Sequence, residues 1–303
     1  MGSTMLQLIQ ECTQELGIPT PATVAGNTSQ DVVQLLALMN ANGYELLRRA
    51  DWRELTKQHT FYTEASTSTG TWTTAAYTIT VPDTTGLSTA YQVQGVGIPN
   101  ATYITSVDNA TQVTINYKPT EDVVAGQVIF QKVKYDLPSD YVSSVNRTHW
   151  DKSKRWEMLG PESPQQWEWL LSGYISTGPR IRWRLLGQYF QIWPGMNADE
   201  LLGFEYRSKS WAYSAAGVAK NSLTADDDTC IYPDRLMVLG TKLKYFEGKG
   251  FDTTALYRDY LMEFETAVAQ DTGAANLSFA PRPGTVLIGY DNIPDSGYGT
   301  DSQ

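Results

Sequence analysis

The chain has 303 residues, 41% hydrophobic and only 18% charged, which is enough apolar material for a core and excludes wholesale disorder. A net charge of −10 argues against a compact nucleic-acid binder, whose phosphate contacts call for a basic balance, although a local basic patch stays open. No apolar run of membrane-spanning length occurs, and the N-terminal MGSTMLQLIQ lacks the basic and apolar regions of a signal peptide.

Residues 4–16 read as a short amphipathic helix with Leu6, Ile9 and Leu16 on one face, stopped by Gly17, Pro19 and Pro21. A second helix is expected from Thr28, with Thr28 as its cap and Asp31 in the capping-box position, through about Ala50. Its stripe is Val32, Leu35, Leu36, Met39, Leu46 and Leu47. From about Thr56 the texture changes to short alternating runs: AYTITV (76–81), AYQVQGV (90–96), TYITSV (102–107), TQVTINY (111–117) and QVIFQKV (127–133). Strands at this spacing imply a small β-sandwich or barrel, opened by a flexible Ser/Thr/Gly stretch at 65–71. Residues 135–213 hold seven of the nine tryptophans. Ser163 followed by Pro164 signals a helix start and Gly173 its end. RIRWRLL (180–186) and QYFQIWP (188–194) form a hairpin around Gly187, and 202–206 offers a further strand. A helix starts at Pro233 with Leu236, Leu239, Leu243 and Phe246 on one face, and another is capped by Asp252 with Tyr257, Leu261, Phe264 and Val268 on its face. After Asp271 the composition collapses into Gly, Ala, Pro, Ser and Asp around one β-prone peptide, GTVLIGY (284–290).

The fold expected is α+β: a helical bundle formed by N- and C-terminal helices, with an inserted small β-sandwich/barrel domain and an extended C-terminal tail. The divisions are 1–59 for the first part of the bundle, 60–134 for the insert, 135–271 for the aromatic middle and closing helices, and 272–303 for the tail.

Catalytic and cofactor signatures are weak throughout. His59 and His149 are the only histidines, with no cysteine or second histidine at metal spacing and no G-x-S-x-G elbow, so they read as structural. Cys12 and Cys230 read as buried small hydrophobes in a protein that folds in a reducing cytoplasm. The segment 95–100, GVGIPN, opens like a dinucleotide fingerprint but lacks the third glycine and has Pro99 where a helix should begin, so it reads as a turn. Asp226, Asp227 and Asp228 lack the alternate spacing of a calcium loop and read as a solvated loop. Glu162 with Glu168, or Glu157 with Asp151, would serve a glycosidase only at the right spatial separation. No catalytic residue, cofactor or metal is expected.

Arg180, Arg182 and Arg184 alternate with Ile181, Trp183 and Leu185, which places the arginines on one strand face. That face is either ordinary solvated surface, a protein contact or a phosphate contact. The tryptophans suit a core, an interface or a stacking platform.

The order of elements resembles the head-to-tail adaptor proteins of short-tailed bacteriophages. The resemblance is carried by the helical pair ending ELLRRADWREL (45–55), the run YDLPSDYVSSVNRTHWDKSKRWEMLGPESPQQWEWLLSG (135–173) with its hairpin RIRWRLLGQYFQIWP (180–194), and the closing helix pair with its tail. The run at 92–116 is similar to a Thr/Gly-rich repeat of phage structural proteins. The resemblance implies a non-enzymatic virion subunit at the head–tail junction. It implies a ring of neighbouring copies, typically dodecameric, between the portal protein and the tail nozzle or fibre proteins. Genomic DNA would pass through the lumen without specific binding. The contact residues expected are Arg180, Arg182 and Arg184, and the tail peptide Thr285, Val286, Leu287, Ile288, Gly289 and Tyr290, which suits docking by strand addition. The alternative reading is a tail or baseplate module whose β-domain binds a host glycan or receptor. A cell-wall hydrolase stands behind both.

Overall fold

The computed structural model describes residues 2–172 and 181–272. Helices α1 (Met5–Leu16) and α2 (Gln30–Arg49) lead through a 3-10 turn at Arg53–Leu55 into β1 (Thr56–Tyr62). Next come β2 (Ala65–Trp72), β3 (Thr78–Thr80), β4 (Tyr91–Gly95), β5 (Ile104–Asn109), β6 (Gln112–Ile115) and β7 (Val123–Lys132). The middle carries β8 (Lys134–Asp136), β9 (Tyr141–Ser144), β10 (Trp150–Asp151), β11 (Trp156–Glu157) and α3 (Pro164–Leu171). It continues with β12 (Arg182–Leu186), β13 (Tyr189–Trp193) and β14 (Leu201–Ser208). Three two-residue strands, β15 (Ala212–Tyr213), β16 (Ala219–Lys220) and β17 (Thr229–Cys230), precede α4 (Asp234–Lys249) and α5 (Thr254–Thr272). The fold is thus mixed α+β, with five α-helices and several antiparallel sheets among the described residues.

Helices from both ends of the chain share one core. α1 starts with a reciprocal capping box: Gln7 N donates to the Thr4 hydroxyl, and Thr4 N donates to Gln7 Oε1 at 2.9 Å. Met5, Leu8, Ile9 and Cys12 on α1 pack with Val32, Leu35, Met39 and Leu46 on α2 and Leu236, Met237, Val238, Leu239 and Leu243 on α4. Fully burying such side chains contributes roughly 1.5–3 kcal/mol each. Gly43 makes this packing possible, because a Cβ there would lie 2.5 Å from the Trp211 ring. The cap of α2 differs from expectation. Ser29, not Thr28, occupies the N-cap and makes no side-chain cap bond; its own N–H donates to Asn27 Oδ1 at 2.8 Å. On α5 Phe264 and Val268 pack against this core as expected, with Tyr260 and Ala267 buried alongside them, whereas Tyr257 is exposed.

The six-stranded sheet runs β4-β7-β2-β3-β6-β5 around its own core of Trp72, Ile79, Val93, Ile104, Val113, Val128 and Phe130. A single bridge between Gln92 and Tyr103 draws the two ends of that path together, but no sheet closes into a barrel. The stretch at 65–71, expected to be flexible, is instead strand β2, paired along its length with β7. β1 pairs with β14, so residues 60–62 lie with the middle sheet and not with the six-stranded one.

In the middle, β1-β14-β10-β11 with β9 beside β14 packs against β12-β13-β8. Tyr135, Trp183, Phe190, Ile192, Leu202, Phe204 and Tyr206 fill the space between. The β12–β13 hairpin turns at Gly187, whose φ of +61° a side chain would strain. The base of the six-stranded unit is tied to this middle. Glu64 accepts from Lys132 Nζ at 2.7 Å and from the Tyr91 hydroxyl at 3.0 Å, and Gly195 N donates to Gln92 Oε1 at 3.1 Å.

Candidate functional site

The arginine face lies over a groove of about 250 Å³ between α3, the β12–β13 hairpin and the loop at 101–103. Two elements position it. α3 is launched by a capping box in which Gln166 N donates to Ser163 Oγ and Ser163 N to Gln166 Oε1, both at 3.2 Å. This aims Trp167 and Leu170 at Ala101 and Trp193, forming a small separate cluster. The strand alternation of β12 then turns Ile181 and Trp183 inward and Arg182 and Arg184 to the opposite face.

Both described arginines are engaged within the chain. Arg182 pairs with Glu162, whose side chain is itself largely enclosed. The Arg184 guanidinium sits 4.5 Å from the centre of the Trp167 ring, and its Nε donates to Gln191 Oε1 at 2.8 Å. Burial lowers Arg184 from its ordinary pKa, against the raising influence of Glu168. The arginines are therefore fixed, half-buried groups and not a freely solvated fringe. Arg180 and the tail peptide Thr285, Val286, Leu287, Ile288, Gly289 and Tyr290 lie outside the described residues.

The chain matches no known family model and no curated protein.

The remaining sequence candidates are placed as follows. His149 is sealed in the middle core, its ring 3.6 Å from Trp183 and stacked on it, and burial pushes its pKa down to about 4. His59 is half-buried on β1 beside Phe61 and Phe204, and burial lowers it too. The two are held by aromatic packing, and neither His149 ring nitrogen has a hydrogen-bond partner among the described residues. Cys12 and Cys230 are buried thiols pushed up to about 12, burial being the main cause, so neither offers a ready thiolate. No group of three or more His, Cys, Asp or Glu among the described residues could hold a metal ion. No helix among them is long and apolar enough to cross a membrane. The 95–100 segment is a turn closed by Ile98 N donating to Gly95 O at 3.1 Å.

The acidic run differs from the solvated loop expected. Asp228 is fully buried and accepts from Lys220 Nζ and from the amides of Thr224 and Ala225. Asp226 Oδ1 accepts from the amides of Val24 and Ala25. These carboxylates pin the 224–228 loop against the segment between α1 and α2, a role that consecutive aspartates do not announce. Of the tryptophans, Trp167, Trp183, Trp193 and Trp211 are core, while Trp156 and Trp169 are exposed.

A network that sequence reading missed centres on Asp140. It accepts from Lys57 Nζ at 2.8 Å, Tyr206 Oη at 2.8 Å and Ser208 Oγ at 2.6 Å. Burial works to raise its pKa, but these donors hold it down at about 2. The only signal available in the sequence was its place in the turn segment LPSD.

Proposed function

We propose that the chain is a structural virion subunit, a head-to-tail adaptor that forms a ring under the portal, extends the DNA channel and gives tail proteins their attachment platform. The observation that carries this reading is the return of the chain. α1 and α2 share one core with α4 and α5, and the six-stranded unit is looped out between them. That arrangement matches the element order through which the sequence resembles the adaptors. In this reading the four helices are the ring-forming bundle, and the β2–β7 unit is the inserted sandwich. Ring contacts between identical subunits need two different patches on each copy. Exposed Phe251, Tyr257 and Met262 on and before α5 supply apolar surface. The portal, neighbouring copies and tail nozzle or fibre proteins are the partners, and the acidic chain lets DNA pass without specific binding.

Native mass spectrometry and electron microscopy of particles test this: rings within virions are expected. A monomer found only in infected-cell lysate and absent from particles overturns it.

Exposed Tyr77, Tyr103 and Tyr117 on the six-stranded unit favour a second reading, a tail or baseplate module that binds a host glycan or receptor. Deleting residues 65–127 separates the two. Loss of tail attachment supports the adaptor; loss of adsorption with intact assembly supports the receptor module.

A further inference from the structure

On the other side of the middle lies a cleft of about 160 Å³ between the β10–β11 hairpin, the 194–200 segment and the end of β7. Three carboxylates line it, Asp151, Glu157 and Glu200, against one cation, Lys154. Lys154 Nζ pairs with Glu200 Oε2 at 2.7 Å, which leaves Asp151 and Glu157 as the carboxylates not neutralised by it. Gln131 is 6% exposed, and its Oε1 is buried without a donor among the described residues. Beside them stands Trp156, paired across the hairpin with Asp151 and 44% exposed. A buried acceptor without a donor is an unusual cost, and Gln131 Oε1 lies in the wall of a cleft that carboxylates line.

We propose that this cleft receives the arginine side chain of a partner protein. The lining asks for donors. A guanidinium presents five N–H groups and no acceptor, and its plane stacks on an indole face. A neutral sugar can donate to the carboxylates but brings no charge to offset theirs. An anion is repelled outright. The partner is basic where it meets this surface, complementing a chain of net charge −10. The inference does not depend on ring formation.

The test is titration of the full chain with N-acetylarginine amide, followed by tryptophan fluorescence and the Trp156 indole N–H resonance. Saturable binding that shifts this resonance is expected. Glu157→Gln and Glu200→Gln should each weaken it by roughly three- to tenfold, the loss of one charge-assisted hydrogen bond. Glu205→Gln, on the far side of the hairpin, should leave it unchanged. Equal binding of N-acetylcitrulline amide or glucose, no saturation with the arginine probe, or unchanged affinity in both variants overturns the proposal. Tighter binding after Arg180→Gln would make the chain's own arginine the occupant, and self-association abolished by Glu157→Gln would make it a second copy. Either result also overturns the partner assignment.

Discussion

His149 is enclosed by Trp183, Phe190 and Phe204, and neither ring nitrogen has a hydrogen-bond partner among the described residues. Burial holds its pKa at about 4, below the ordinary 6.5. Between those values the unfolded chain binds a proton that the folded chain refuses. The stabilisation is therefore fully present above pH 6.5 and is lost as pH falls toward 4. The whole gap corresponds to roughly 3 kcal/mol, of which about 2 kcal/mol is lost by pH 5. Urea unfolding of wild type and His149→Phe at pH 7.5, 6 and 5 measures this. The phenyl ring keeps the stack and removes the titration, so the variant should be nearly flat where wild type declines. His59 is lowered in the same direction, so His59→Gln serves as the control and should retain most of the slope. The carboxylates held low, Asp140 among them, act only below about pH 5 and do not confuse this window. Parallel curves for wild type and His149→Phe would refute the reasoning.

Asp140→Asn removes the charge that three donors converge on and should cost about 1.5–3 kcal/mol in chemical denaturation. Gly43→Ala should destabilise by about 1–3 kcal/mol, reversing the usual gain of alanine in a helix, because the new methyl group drives into Trp211; thermal unfolding reads the sign. Glu162→Gln removes a largely enclosed carboxylate from its pair with Arg182 and should cost about 1.5–3 kcal/mol, with the β12–β13 hairpin intact by NMR.

What the sequence revealed was mostly local. The ends of α1, the Ser163 start of α3 and the Gly187 turn are written in neighbouring residues, and they lie where spacing places them. β2 was hidden because ASTSTGT carries turn chemistry; its strand character comes from pairing with β7, some 60 residues away. The segment at 202–206 read only as one further strand, yet β14 organises the middle, since β1, β9 and β10 all pair with it. The site was harder still. The arginine alternation was legible, but its capture by Glu162, Gln191 and Trp167 depends on α3 folding back over β12. The cleft beside Trp156 joins residues from four separate stretches, and no window of sequence contains it.

The core shared by the two ends of the chain has a consequence for synthesis. Cys12 meets Val238, and Ser3 hydrogen-bonds Asp234, so the first helices are made long before their partners exist. At about 5–20 residues per second, α2 waits roughly 10–40 s for α4 to leave the ribosome. The β2–β7 unit is contiguous, with its own core, and is free to fold during that delay. The nascent chain should therefore carry a finished β-unit behind two unsatisfied apolar helices, a state in which a chaperone or a neighbouring nascent copy finds its widest hold.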